Sequence, residues 1–210
     1  GGGDALVLAL VDASENSSYE VEVSARVSEE PLMNVVGMIP GRRTDEFVLF
    51  SAHYDHIGIR PAVAGDSIAN GANDDASGTA LVMEIARALA SPGVESDMSI
   101  RFALWNNEET GLNGARAYTA QREELQGIEN PPGSGQYPEP RWLGMIQHDM
   151  MLWDHGNPVT HTQALDADVD IEFQLNSEMA DASAQLALAL LNSNRMFATD
   201  YPAVMSNAMS

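Results

Sequence analysis

Three short, largely apolar runs, Phe47–Phe50, Ile100–Trp105 and Leu143–Ile146, are each followed within three residues by imidazole or carboxylate. Ser51-Ala52-His53-Tyr54-Asp55-His56 follows the first run. Asn106-Asn107-Glu108-Glu109-Thr110-Gly111 follows the second, and Gln147-His148-Asp149-Met150 the third. Runs this short and apolar read as buried strands. Between them, Ser77 to Ala90 has Leu81, Ile85, Ala88 and Leu89 at helical spacing and stops at Pro92-Gly93, with Ser77 placed to cap its start. Gly111 to Leu125 also reads as a helix. So does Glu178 to Asn194, with Leu186, Leu190 and Leu191 on one side. Strand, helix, strand, helix, strand, loop, helix predicts an α/β sheet covered by helices. Ligands of such sheets gather at the carboxyl ends of the strands, which is where the acids and imidazoles stand.

The flanking stretches carry weaker signals. Asp4 to Ala13 is apolar and suits a helix or a buried strand. Val21 to Val27 alternates apolar and polar residues, the mark of a half-buried strand. Asn34 to Ile39 reads as a further strand, closed by the turn pair Pro40-Gly41. Arg60 to Ala72 is rich in Gly, Ala and Pro without a period, hence a loop. Gly127 to Arg141, with Pro131-Pro132-Gly133-Ser134-Gly135, reads as a long surface loop or a lid. His155 to Ala167 is a loop. No repeat is present. Residues 1–33 are a lead-in with the first strand, and 34–210 form the main domain.

Composition narrows the chemistry. The chain has no cysteine, so a metal can sit only on His, Asp and Glu. Its ten cations are all arginine, against 31 acids, for a net charge of −21. Nucleic acid and anionic membranes need a cationic face, so neither is an expected partner. No apolar run approaches the roughly 20 residues of a membrane span. Acids gathered at consecutive strand exits suit a cation site. His53 and Asp55 are two apart and point the same way on an extended chain, so the carboxylate can hold the ring of a metal-bound histidine. Glu108 and Glu109 would repel if both were free; they make sense if one binds metal and the other handles a proton. Gly71 and Gly78 let the backbone turn tightly beside such a site.

These residues resemble metallopeptidase family 28, the zinc aminopeptidases that also include glutamate carboxypeptidase II. The family pattern is His-x-Asp, then Asp-Asp or Asp-Asn followed by Ser-Gly, then Glu-Glu, then a later Asp. Here these are His53-Tyr54-Asp55, Asp74-Asp75-Ala76-Ser77-Gly78, Glu108-Glu109 and Asp149. The order and spacing match from about Asn34 to Met150. The resemblance implies a mixed, mostly parallel central sheet flanked by helices, as in zinc-dependent exopeptidases of the phosphorylase/hydrolase-like fold, here incomplete at its C-terminus. It implies two zinc ions: His53 and Asp149 holding one, Asp74 bridging, and Glu109 holding the second. Glu108 would be the general base that takes a proton from the metal-bridging water, and Asp55 would orient His53. The implied function is a zinc exopeptidase acting on peptides, most simply an aminopeptidase. Strong acidity without cysteine suits a secreted, periplasmic or salt-adapted protein.

One departure stands out. The family pattern closes with a fifth ligand, usually a His in a Ser-Asp-His-like segment near the C-terminus. No histidine follows His161, so the second zinc is expected to lack a ligand within these residues. Two other functions share the fold. One is a glutaminyl-cyclase-like acyltransferase with one zinc, which Asp74-Asp75-Ala76-Ser77-Gly78 suits less well. The other is a non-catalytic peptidase-like binding domain, which would ordinarily have lost ligands that this chain keeps.

Other residues read as structural. His56 is expected to support rather than bind a metal, and His148 to point away from Asp149. His155 and His161 should face solvent, unless one of them reaches a metal in place of the fifth ligand. Asp75 should cap or bond locally, and Trp105 should pack. Tyr137, Trp142 and Trp153 flank the long loop and either line a pocket or pack. The eleven methionines read as core filler.

Overall fold

In the computed structural model, which describes residues 31–63, 65–152, 169–173, 178–198, 200 and 202–207, the elements follow in chain order. They are β1 (Val35–Ile39), β2 (Arg43–His53), β3 (Gly58–Val63), β4 (Asp66–Ala69), α1 (Ala76–Leu89), β5 (Met98–Trp105), α2 (Asn113–Arg122), β6 (Arg141–Gln147), β7 (Val169–Phe173), α3 (Ala180–Phe197) and β8 (Ala203–Asn207). A short 3-10 turn, Glu123–Leu125, extends α2. The main sheet has the order β1-β5-β2-β6. β2 runs parallel to β5 and to β6, and β1 is antiparallel to β5. The α/β class and the mixed, mostly parallel sheet are as expected. No helix among the described residues is long and apolar enough to cross a membrane.

Phe47–Phe50 of β2 and Phe102–Trp105 of β5 are continuous apolar stretches because the sheet is covered on both faces there. Phe47, Leu49, Ala103, Trp105 and Tyr118 form one cluster, on the side of α2. Ala52, Val82, Ile100 and Phe102 form the other, under α1. Phe47 is fully buried, a burial that stabilises by roughly 1.5–3 kcal/mol. Trp105 packs on Tyr118 with ring centres 5.1 Å apart, so it is a packing residue. Trp142 packs on Phe47 and Tyr118, which gives it the same role.

Several expectations need correction. Residues 60–72 are not all loop: β3 and β4 form an antiparallel hairpin. Its facing pair, Ile59 and Ile68, is 85% and 61% exposed, so no buried face imposes a period on the sequence. β7 and β8, joined by α3, form a further parallel pair that no strand pattern in the sequence marks. β6 is not a core strand in the manner of β2. It ends the sheet as described, with Leu143 and Met145 exposed. Ser77 does not cap α1; Asp75 does. Most of the described methionines are not core filler: Met33, Met38, Met83, Met145 and Met196 are all exposed.

The segment Gly127–Arg141 is not a lid over the strand exits. It enters β6 at Arg141, opposite Glu46 near the start of β2, while the exits lie at Gln147. Seven residues of β6 at roughly 3.3 Å each separate the two ends. The loop is anchored there by a buried ion pair, Arg101 Nη1 to Glu139 Oε1 at 2.7 Å. Trp142 Nε1 donates to the same carboxylate. The segments 4–13 and 21–27, with Trp153, His155 and His161, lie outside the described residues.

Candidate metal centre

Because β2, β5 and β6 are parallel, their carboxyl ends open on one side. His53 is the last residue of β2 and is 1% exposed. Both polar atoms of its main chain are held. The N–H donates to Asp75 Oδ2 at 3.1 Å, and the carbonyl accepts from Thr79 Oγ1 at 2.7 Å. The ring therefore projects from a fixed backbone. Its Nε2 stands 3.0 Å from Asp74 Oδ1, 3.8 Å from Asp149 Oδ1 and 4.0 Å from Glu108 Oε2.

Asp75 ties these residues together. It is buried, and its Oδ1 accepts the N–H groups of Gly78 at 2.9 Å and Met150 at 3.3 Å. One carboxylate thus fixes the backbone at His53, at the start of α1 beside Asp74, and just after Asp149. Gly78 permits this closeness, since a Cβ there would lie 2.5 Å from Asp75 Oδ1 and from the His148 carbonyl. Gly71 takes the left-handed turn that precedes Asp74, with φ +68°. Met151 N–H donates to Ser77 Oγ, and Leu152 N–H to Asn73 Oδ1, so the Asp149 loop is stitched to the entry of α1.

Asp55 does more than face His53. Its Oδ1 lies 3.6 Å from the ring Nδ1, which meets the Asp55 carbonyl at 3.2 Å. The same carboxylate accepts the N–H groups of Glu108 at 3.0 Å and Glu109 at 3.3 Å. The Glu pair is therefore hung from the His-x-Asp segment. This link was not legible in the sequence.

His53, Asp74 and Asp149 offer one nitrogen and two carboxylate oxygens, all within 4.8 Å of one another. This donor set suits zinc, which takes nitrogen and oxygen ligands. Glu108 lies at its edge. Glu109 stands outside the trio but close enough for the charge of Asp74 to act on it. His56 is not part of the cluster; its Nδ1 accepts from the Gly58 N–H at 3.0 Å, within its own turn. His148 points elsewhere and stacks on Phe50, ring centres 6.1 Å apart. Its buried Nδ1 has no hydrogen-bond partner among the described residues.

The electrostatics are those of acids crowded around one imidazole. Burial opposes charge on His53, but Asp149, Asp75 and Glu108 outweigh it and push the imidazole up to about 9. Burial, reinforced by Asp149, lifts Asp75 to about 6 despite its backbone bonds. Glu108 is raised by burial, eased by His53, and raised again by Asp149, Asp55 and Asp74. Glu109 is raised by burial first and then by Asp74. Each carboxylate added to the cluster makes the next harder to ionise, a penalty that a bound cation relieves.

The sequence profile of peptidase family M28 matches residues 34–209. The chain belongs to peptidase family M28. It is 36% identical over 95 residues to the aminopeptidase YwaD of Bacillus subtilis, a match covering 44% of this chain and 18% of that protein. It is 40% identical over 100 residues to a Leptosphaeria maculans protein named "Probable zinc metalloprotease", covering 47% of this chain and 22% of that one. The fold is also that of the LapA aminopeptidase of Legionella pneumophila, with TM-score 0.59 at 20% identity, over 84% of this chain and 38% of that one. The matches thus span less than a third of the length of either curated M28 relative.

Proposed function

We propose that this chain carries the metal-binding and proton-handling part of a zinc exopeptidase of aminopeptidase type. The observation that carries the reading is the convergence of His53, Asp74 and Asp149 within 4.8 Å, with Glu108 Oε2 at 4.0 Å from His53 Nε2. The aminopeptidase among its relatives supports the same reading. His53 and Asp149 would hold one ion, Asp74 would be shared, and Glu109 would serve the second. Zinc bound there supplies Lewis acidity, which acidifies water and polarises a scissile carbonyl.

The chain's own residues do the rest. Glu108 is the general base. Its carboxylate stands 4.0 Å from His53 Nε2 at the edge of the cluster, placed to take a proton from water held there and release it to the leaving amine. Asp55 holds the backbone of Glu108 and so sets where that carboxylate stands. Asp75 holds His53 and the Asp149 loop in register. Acidic groups beside the ions would favour a substrate that presents an ammonium group, which is the N-terminus of a peptide.

The test is zinc content by elemental analysis after dialysis, paired with hydrolysis of amino-acid anilides by the full protein. Two zinc ions and zinc-dependent release of the N-terminal residue are expected. A protein that retains no zinc, or that cleaves equally well after chelation, would sink the reading.

A further inference from the structure

The loop that carries Glu108 and Glu109 is latched by a residue that lies outside the metal cluster. Asn34 immediately precedes β1, whose Val35 pairs with Leu104 of antiparallel β5. The antiparallel pairing brings Asn34 to the carboxyl end of β5. There its Oδ1 accepts the N–H of Asn106 at 3.0 Å, and its Nδ2 donates to the Gly114 carbonyl at 2.9 Å. Asn106 is the first residue after β5 and Gly114 lies in the first turn of α2, so the two bonds flank the Glu pair on both sides. The Gly114 N–H also donates to the Asn106 carbonyl at 3.0 Å, which closes the loop's neck.

The neck is tight. A Cβ on Gly114 would lie 2.4 Å from Asn34 Oδ1 and 2.3 Å from the Asn106 carbonyl oxygen. The latch needs an acceptor on one side and a donor on the other. Asparagine has both, ionised aspartate has only acceptors, and alanine has neither. Tyr54 adds a second tie: its hydroxyl accepts from Asn106 Nδ2 at 2.8 Å and donates to the Met33 carbonyl.

We propose that Asn34 is a positioning residue for Glu108 and Glu109, setting the loop's neck while Asp55 holds its middle. The roles of the two glutamates rest on the function proposed above; the latch itself does not.

The test compares Asn34→Ala and Asn34→Asp with the unaltered full protein. Hydrogen exchange on the metal-free form is read at the Glu108 and Glu109 amides and, as a control, at Val82 in α1. Turnover is read at saturating zinc. The expected result is exchange at both Glu amides faster by about tenfold or more, with Val82 unchanged. kcat falls by about tenfold to a hundredfold while KM stays within about twofold, the signature of a misplaced catalytic group. Unchanged exchange at the Glu amides overturns the proposal. So does a rise that includes Val82 equally, or failure of both variants to fold, since each makes Asn34 a general stability residue. If the unaltered protein neither keeps zinc nor cleaves peptides, the peptidase reading has failed, and the exchange comparison alone decides the latch.

Discussion

The carboxylate of Asp75 accepts the backbone N–H of His53 at 3.1 Å, and through its other oxygen it accepts the N–H groups of Gly78 and Met150. A residue that contributes no atom to the metal trio therefore fixes the backbone beside all three of its members. Asp75 faces three donors, and only a carboxylate offers acceptors on both sides.

Asp75→Asn tests this directly. Whichever way the amide turns, its NH2 meets a backbone donor. A buried N–H left without a partner costs about 1–3 kcal/mol. Urea unfolding of the metal-free chain is expected to show a loss of that size. Zinc retention after dialysis should also fall, because the trio is no longer held in register. Unchanged stability together with unchanged zinc content would remove Asp75 from this role.

How much of this was legible in the sequence depends on the range of the interaction. That His53, Glu108 and Asp149 gather at one edge of the sheet was legible because each stands three residues after an apolar run, so a strand reading places them there. A cap at the entry of α1 was legible because caps are local, but the sequence offered Ser77 beside Asp75, and the structure assigns it to Asp75. The hairpin at Ile59 and Ile68 was not, since neither residue is buried and no period marks it. The segment Gly127–Arg141 was misplaced because composition marks a loop without saying at which end of the sheet it lies. Asn34 escaped notice because its two partners are 72 and 80 residues away. Only the antiparallel pairing of β1 with β5 makes them neighbours.

Glu108→Gln separates metal binding from proton transfer. Gln keeps the size and the backbone N–H that Asp55 holds, but it cannot take a proton. In the full protein, zinc content is expected to stay unchanged while turnover falls by about a hundredfold to ten-thousandfold. Normal turnover would exclude Glu108 as the base. Zinc lost along with activity would make it a ligand instead. A single zinc per unaltered chain would favour the acyltransferase alternative over the two-metal peptidase.

The imidazole of His53 gives the metal-free chain a defined pH response. Its pKa is raised from 6.5 to about 9 in the folded state. The resulting stabilisation is complete below pH 6.5 and is lost as pH climbs through about 9. Asp75, raised to about 6, acts in the opposite sense to a normal carboxylate, and its contribution is already gone above that pH. Melting temperature between pH 7 and 9 is therefore expected to decline in the metal-free chain, and to decline less in His53→Gln. Zinc requires the neutral ring, so the zinc-loaded form should lack the decline and bind more tightly as pH rises. A metal-free protein with a flat profile across this window would show that the surrounding acids do not hold the proton on His53.

The far end of the sheet offers a control in which fold and site come apart. Arg101 and Glu139 are 7% and 4% exposed, and they meet at 2.7 Å. Arg101 also lies over the Phe47 ring at 3.9 Å and donates to the Tyr118 hydroxyl. Glu139→Ala removes the anion and leaves a guanidinium buried among aromatic rings. Breaking a buried pair from one side costs about 3–5 kcal/mol, because the remaining charge is unpaired. Replacing both partners with apolar residues, Arg101→Met with Glu139→Met, should recover much of that loss. Because Glu139 stands just before β6, at the end away from His53, and Arg101 pairs with Leu49 in mid-strand, zinc content per folded chain is expected to be unchanged in both variants. Denaturant midpoints measure the first effect and elemental analysis the second. A Glu139→Ala protein as stable as the parent would mean that this pair does not anchor the loop. A drop in its zinc content would mean that the two ends of the sheet are coupled.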